Sequence, residues 1–496
     1  MFTNKRWLIL AIVSSALFLI VVDMTVLYTA LPRLTHDLQA NASQKLWIVN
    51  SYALVVAGLL PGFGTLGDRI GHKKLFISGL VVFGLASLLA AYSWTPAVLI
   101  FARVLLAVGA ALMMPATLSI IRLTFSDERE RSLAIGIWSA VSSGGAALGP
   151  VLGGVMLEYF WWGSVFLINV PIVLVALVLA VFLVPDHGGR KDRSWDLIGS
   201  LQIMVSLIAI AYAIKTFSKP VPSYESVGIA ALVGIVAGIM FVRRQRQTTQ
   251  PLIDFKLFSD PRFLAGVVAA LVASLALTGV ELVLSQRLQL VLEMTPLEAG
   301  LFILPIPLAA FVAGPLAGLM LARLGASRIM VGGLLISAFG LLMLWLGQDG
   351  MATTTQIAGL LTLGFGVGSS MTAASSAIMI YAPRDKAGMA ASVEEVSFEL
   401  GGAIGIAILG SVMTAVYSAS FIVPDTLPVS AAVRDSLDTA LIVSESLEPS
   451  LARELVELAR LAFDKSFSAV VAMAIVMLVA TAATIGWITG RMETAE

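Results

Sequence analysis

The segment Pro61-Gly62-Phe63-Gly64-Thr65-Leu66-Gly67-Asp68-Arg69-Ile70-Gly71-His72-Lys73-Lys74 closes one apolar run, residues 46–66, and opens onto another, 75–94. Each run is about 20 residues, the length a helix needs to cross a hydrocarbon core. A strand of that composition would leave its backbone groups without partners in lipid, so both runs read as helices. The short basic loop between them is the kind that stays on the cytoplasmic side. A related segment follows at 315–328, where Pro315, Gly318, Arg323, Gly325 and Arg328 repeat Pro61, Gly64, Arg69, Gly71 and Lys74 at a constant offset.

Outward from this point, apolar runs recur from Trp7 to Gly490, and fourteen of them are long enough to span. The composition agrees: 58% of the 496 residues are hydrophobic and 12% charged, against about 25% charged in a soluble domain. The fold expected is an all-α polytopic membrane protein with both termini cytoplasmic. Lys5 and Arg6 precede a first run too long for a cleaved signal peptide, and no small-residue cleavage site follows, so it is expected to remain as an anchor. Alternate loops divide the basic residues unevenly: 21 of the 31 Lys and Arg fall on the side of the termini, which sets the orientation. A net charge of zero argues against nucleic acid as a partner, and the absence of Cys excludes disulfides and thiolate metal sites.

The repeat suggests two related bundles with a site between them near the midplane. A looser match pairs Gly109, Met114, Ala116 and Ser119 with Gly366, Met371, Ala373 and Ser376. The expected organisation is a six-helix bundle over 1–190, an inserted helix pair with its linker over 191–260, and a second six-helix bundle over 261–496. A long outward loop is expected at 417–465. Within it Leu451, Leu455, Leu458 and Ala462 share a helical face, suggesting a short amphipathic helix over the mouth or on the bilayer; a plain spacer fits the same residues equally well.

Charges inside spans need a reason, because an Asp, Lys or Arg at a helix centre costs about 2.5–3.5 kcal/mol. Asp23 and Arg103 lie in the first and fourth runs and are read as a proton-linked pair or, more plainly, a structural ion pair. Glu281 lies deep in the ninth run. Glu394, Glu395 and Glu399 lie in the thirteenth, and Glu395 and Glu399 share a face. Two carboxylates that close cannot both ionise cheaply where water is scarce, so a proton or an organic cation can exchange there. Gly145, Gly149 and Gly153 leave one face of the fifth run bare for close helix approach. Pro150 is expected to bend it, so that the two halves rock across this surface. In the 67–74 loop, Gly67 and Gly71 permit tight turns, and Asp68 is expected to latch onto a neighbouring helix.

These motifs together resemble the major facilitator superfamily, and within it the fourteen-span drug:proton antiporter family. Asp23-Met24-Thr25 with Ala30-Leu31-Pro32 is similar to that family's first-helix signature. The stretch Gly67, Asp68, Arg69, Gly71 and Lys74 resembles its loop between helices two and three. Arg103 with Gly109 resembles its proton-coupling motif, and Gly145, Gly149, Pro150, Gly153 and Gly154 its antiporter motif. Pro251-Leu252-Ile253-Asp254 also resembles the fourteen-span group, and within it the chain resembles the exporters of methyl viologen and quaternary ammonium compounds. The resemblance implies two six-helix bundles plus two inserted helices in the bacterial inner membrane, and proton-coupled efflux of lipophilic organic cations by alternating access. It also implies function as a monomer among membrane lipids, with no cofactor beyond the proton gradient.

An enzyme is disfavoured. His36, His72 and His187 fall in predicted loops without metal-ligand spacing, and no Gly-x-x-x-x-Gly-Lys-Ser/Thr phosphate loop occurs. A carrier of one physiological solute (an amino acid, siderophore or polyamine) is the alternative, followed by a membrane-embedded lipid enzyme.

Overall fold

The computed structural model describes residues 2–186, 188–189, 195–217, 222–249, 251–347, 353–382, 387–422 and 431–493. The side chains of Asp68 and Ala322 and the whole of His187 lie outside the described residues, so the expected Asp68 latch falls there. Seventeen α-helices are described, in chain order α1 (Phe2–Asp37), α2 (Ala42–Ile70), α3 (His72–Ala91), α4 (Pro96–Thr124), α5 (Glu128–Tyr159) and α6 (Ser164–Leu167). There follow α7 (Asn169–Leu183), α8 (Leu197–Phe217), α9 (Tyr224–Gln247), α10 (Pro261–Gln286), α11 (Pro296–Ile303) and α12 (Pro305–Leu324). The last five are α13 (Ala326–Leu346), α14 (Thr353–Tyr381), α15 (Ala387–Ser420), α16 (Leu437–Ser444) and α17 (Pro449–Glu493). Among the described residues 13 helical stretches are long and apolar enough to cross a membrane. At the expected fifth crossing stands α5, 32 residues long and outside those 13.

Two apolar cores organise the chain. One gathers residues between Ile9 and Val184 together with Leu282 and Ile406; the other gathers residues between Leu257 and Ile485. The repeat seen in sequence has a structural counterpart. Gly71 and Gly325 both adopt positive φ, 99° and 77°, in single-residue junctions between helices, a region open chiefly to glycine. At both junctions the Gly N–H closes the preceding helix, Gly71 onto the Gly67 carbonyl and Gly325 onto that of Leu321. Gly79 packs on the Gly109 carbonyl where α3 crosses α4, and Gly333 packs on that of Gly366 where α13 crosses α14. Lipid removes the hydrophobic drive between helices, so such small-residue crossings carry the packing.

Several expectations need correction. The residues Leu451, Leu455, Leu458 and Ala462 do not form a separate surface helix. They are the first turns of α17, which runs unbroken to Glu493, and Leu455 and Ala462 are buried in the second core. Within the outward segment the separate helix is instead α16. His36 and His72 lie in helices rather than loops: α1 continues past Pro32 to Asp37, and α3 starts at His72 directly after Gly71. Proline has no N–H to give the carbonyl four residues back. That carbonyl, on Tyr28, accepts instead from Ser285 Oγ of α10 at 2.8 Å. The Gly145–Gly149–Gly153 face packs on α1, within the same core, not across the two halves. A Cβ at Gly149 would lie 1.8 Å from Thr25 Oγ1.

The expected 67–74 loop is helical except at Gly71, and its described contacts reach α7 and the segment that follows it. Lys73 Nζ donates to the Val181 carbonyl at 2.8 Å. The Gly189 backbone lies against the Arg69 carbonyl.

Candidate functional site

A cavity of about 670 Å³ lies between the two sets of helices, within the range of pockets that hold drug-sized molecules. Its wall comes from α1, α2, α4 and α5 on one side and from α10, α11, α12, α14 and α15 on the other. Met24, Met371, Phe311 and Phe398 supply an apolar lining, with Tyr28 and Tyr52 adding aromatic faces. Glu281 of α10 and Glu399 of α15 both line it, and both are only partly buried. Glu399 Oε2 has no hydrogen-bond partner. Tyr28, Glu281 and Glu399 line the same cavity. The cavity therefore presents polarisable surface and two carboxylates, the combination that attracts an organic cation.

Arg103 is the one basic side chain in that wall among the described residues, and it is neutralised from behind. Its Nη1 donates to Asp23 Oδ2 at 2.5 Å, its Nε to the Ile48 carbonyl at 3.2 Å, and its guanidinium rests 4.5 Å from the centre of the Tyr52 ring. Asn169 Nδ2 reaches both Asp23 Oδ1 and Ser87 Oγ at 3.3 Å. The sequence-predicted Asp23–Arg103 neighbourhood is thus a fully buried pair tying together α1, α2, α3, α4 and α7. Asp23 itself does not line the cavity. Asn169, a lone amide in an otherwise apolar span, was the signal for its fifth helix.

Glu395 sits one helical turn from Glu399 on α15 but does not line the cavity. Glu394 accepts a hydrogen bond from Ser375 of α14. No cluster of metal-ligating side chains occurs among the described residues.

At the end of the molecule that carries 417–465, the two sets of helices are joined. Asp438 of α16 is buried and accepts from Lys45 of α2 and, at 3.3 Å, from Thr35 of α1. Lys45 also donates to Gln286 of α10 at 2.7 Å. His36 meets Glu445 at 2.9 Å, and Gln289 donates to the Thr29 carbonyl at 3.1 Å. Neither Lys45 nor Asp438 stood out in sequence, since each reads as an ordinary loop-end charge until the fold brings them together. At this same end α5 crosses α11 at backbone distance: a Cβ at Gly154 would lie 2.4 Å from Leu297 Cα. Toward the basic-loop end, the lining face of α12 continues past Gly314 and Pro315 to Gly318, which is exposed and faces open space.

The Gly154 contact makes a prediction. Valine there cannot be accommodated without parting α5 from α11, so Gly154→Val is expected to favour opening at the 417–465 end. The chain has no native Cys. A single Cys at Gln289 is therefore expected to react with an impermeant maleimide about tenfold faster in this variant, an equilibrium shift of about 1.4 kcal/mol. An unchanged rate would show that Gly154 does not hold that end closed.

Comparison with known proteins agrees with this architecture. Residues 13–406 match the family model described as Major Facilitator Superfamily. The methyl viologen resistance protein SmvA of Salmonella typhimurium is 41% identical over 480 residues, covering 96% of each chain. The multidrug efflux pump LfrA of Mycolicibacterium smegmatis is 37% identical over 485 residues, 97% of this chain and 96% of its own. A crystal structure of a bacterial homologue of the human lysosomal transporter Spinster, inward-facing and unoccupied, superposes with a TM-score of 0.66 over 98% of both chains. At 15% identity that likeness speaks for the fold alone. With its multiple spanning helices, its internal repeat, its central cavity and these relatives, the chain belongs to the Major Facilitator Superfamily.

Proposed function

We propose that this multi-pass protein of the bacterial inner membrane exports lipophilic organic cations, among them quaternary ammonium compounds, viologens and cationic dyes, in exchange for protons. One observation carries the reading: two carboxylates, Glu281 and Glu399, face an aromatic and Met-lined cavity whose one basic wall residue among the described residues, Arg103, is already paired with Asp23. A cation is favoured there and an anion is not. The name of SmvA, a methyl viologen resistance protein, supports the same substrate class, and that of LfrA, a multidrug efflux pump, supports export.

The mechanism follows from competition. With its carboxylates ionised, the cavity takes a cation from the cytoplasmic side or the inner leaflet. Opening to the outside exposes Glu399 and Glu281 to a more acidic compartment, where protons displace the cation. Return to the inward-open state releases the protons, each worth about 2.3 kcal/mol per 100 mV across the field. Glu395 extends the acidic path one turn along α15, and Asp23 acts through Arg103 by keeping the wall neutral. In this reading α5 provides the fourteenth crossing and both termini lie in the cytoplasm, consistent with the distribution of basic residues. The contacts of Lys45 and Thr35 with α16, and of His36 with Glu445 just after it, then close the outer side, and the cavity is reached from the inner side.

The test is growth in quaternary ammonium compounds and methyl viologen with and without the protein, paired with inverted vesicles. An acid lumen is expected to drive uptake of a cationic dye into vesicles that contain the protein. Equal growth inhibition with and without the protein, together with no gradient-driven uptake, would refute the proposal. Selective flux of a single polar solute would do so as well.

A further inference from the structure

One buried cation has no role in that mechanism. Lys215, in the last turn of α8, is 5% exposed, and its Nζ has no hydrogen-bond partner. The amine lies 4.1 Å from the centre of the Trp47 ring of α2, and Trp47 in turn lies 6.4 Å from Tyr212 of α8. A buried ammonium without an acceptor is expensive, so its surroundings call for an anion.

Helical register shows what surrounds it. Leu54 of α2, Ala211 of α8 and Ala407 of α15 pack in one small apolar cluster with Trp47 beside them. One turn toward the 417–465 end from these three positions come Ser51, Lys215 and Ser411, on the same faces of their helices. Ser51 and Ser411 are 4% and 3% exposed, and each has a buried Oγ without a partner. The seam of α2, α8 and α15 thus carries an amine and two hydroxyls, all able to donate, in one layer.

The neighbourhood identifies the class of anion. The pair α8 and α9 is turned toward lipid, with only 28% and 11% of its spanning windows buried. Tyr212 and Phe217, flanking Lys215, are exposed. A Trp and Tyr beside a Lys at a helix end mark headgroup level, and basic pockets between spanning helices suit acidic headgroups. A zwitterionic headgroup already carries its own countercharge, whereas an acidic one leaves its phosphate charge for the amine.

We propose that Lys215, roofed by Trp47 and flanked by Ser51 and Ser411, forms a socket for the phosphate of an acidic phospholipid at the α2–α8–α15 seam. Because α2 and α15 belong to different sets of helices, a lipid bound here braces the closed end of the molecule. The inserted pair then serves to hold that lipid against the moving seam.

The full chain in nanodiscs of phosphatidylglycerol, compared with phosphatidylcholine, tests this. Phosphatidylglycerol is expected to raise the melting temperature by about 3 °C. Lys215→Gln is expected to abolish the difference and Lys215→Arg to keep it. Arg453→Gln, an exposed basic position on α17, is expected to leave it unchanged. Ser411→Ala removes one hydroxyl donor while retaining the amine, and is expected to cut the phosphatidylglycerol retained after detergent extraction about tenfold, the loss of one charge-assisted bond. A full lipid-dependent shift in Lys215→Gln, or undiminished retention in Ser411→Ala, would overturn the proposal. The same shift from inorganic phosphate in phosphatidylcholine discs would assign the socket to a free anion instead.

Discussion

Glu399→Gln is expected to lose the ability to accumulate cations against a gradient while remaining folded in the membrane. The side chain is nearly isosteric, and Glu399 Oε2 has no protein partner to lose. The change therefore removes a site for charge and proton without breaking a network. Each proton exchanged for a cation is worth about 1.4 kcal/mol per pH unit, or about tenfold accumulation. In inverted vesicles with a lumen one pH unit more acidic, the unaltered protein is expected to hold about tenfold more dye inside than out per exchanged proton. The variant is expected to reach equality, with downhill movement persisting through the intact cavity. If Glu399→Gln retained the full acid-driven accumulation, Glu281 alone would have to carry the coupling.

The second large effect concerns the pair behind the wall. Asp23→Asn leaves Arg103, 2% exposed, as an uncompensated charge at the edge of the cavity. Breaking a buried ion pair from one side costs roughly 3–5 kcal/mol, while replacing both partners is often close to neutral. Asp23→Asn is therefore expected to reduce folded protein sharply, and the fraction that folds is expected to bind cations poorly because its wall is now positive. Asp23→Asn with Arg103→Gln is expected to recover both folding and cation binding, read from thermal unfolding and from dye-binding titration. Normal stability and normal affinity in the single variant would show that the pair neither braces the five helices nor governs the charge of the cavity.

Much of this was legible in the chain itself. Spans announce themselves, because lipid tolerates only continuous apolar helices, and a charge inside one must find a partner. That logic marked Asp23 and Arg103 as a candidate pair and singled out Glu281, Glu395 and Glu399 before any coordinates. It could not say which carboxylates face the cavity. Asp23 and Glu399 are equivalent as buried acids in a sequence, and only the rotation of α1 and α15 puts one behind the wall and the other in it. Rotation also decided the glycine motif of α5: Gly149 faces α1 of its own bundle, whereas neighbouring Gly154 faces α11 across the divide. Periodicity identified the apolar face of Leu451, Leu455 and Ala462, but not that the helix bearing it runs on into the last span. The Lys45–Asp438 contact, 393 residues apart along the chain, has no local signature at all.

The most direct test of proton-for-cation exchange at the cavity carboxylates is a proton measurement in purified proteoliposomes that trap a pH-sensitive dye. Adding methyl viologen or a quaternary ammonium compound on one side is expected to drive protons the opposite way within seconds. Glu281→Gln with Glu399→Gln is expected to abolish that signal. Cation-evoked proton movement of undiminished size in the doubly neutralised protein would contradict the account.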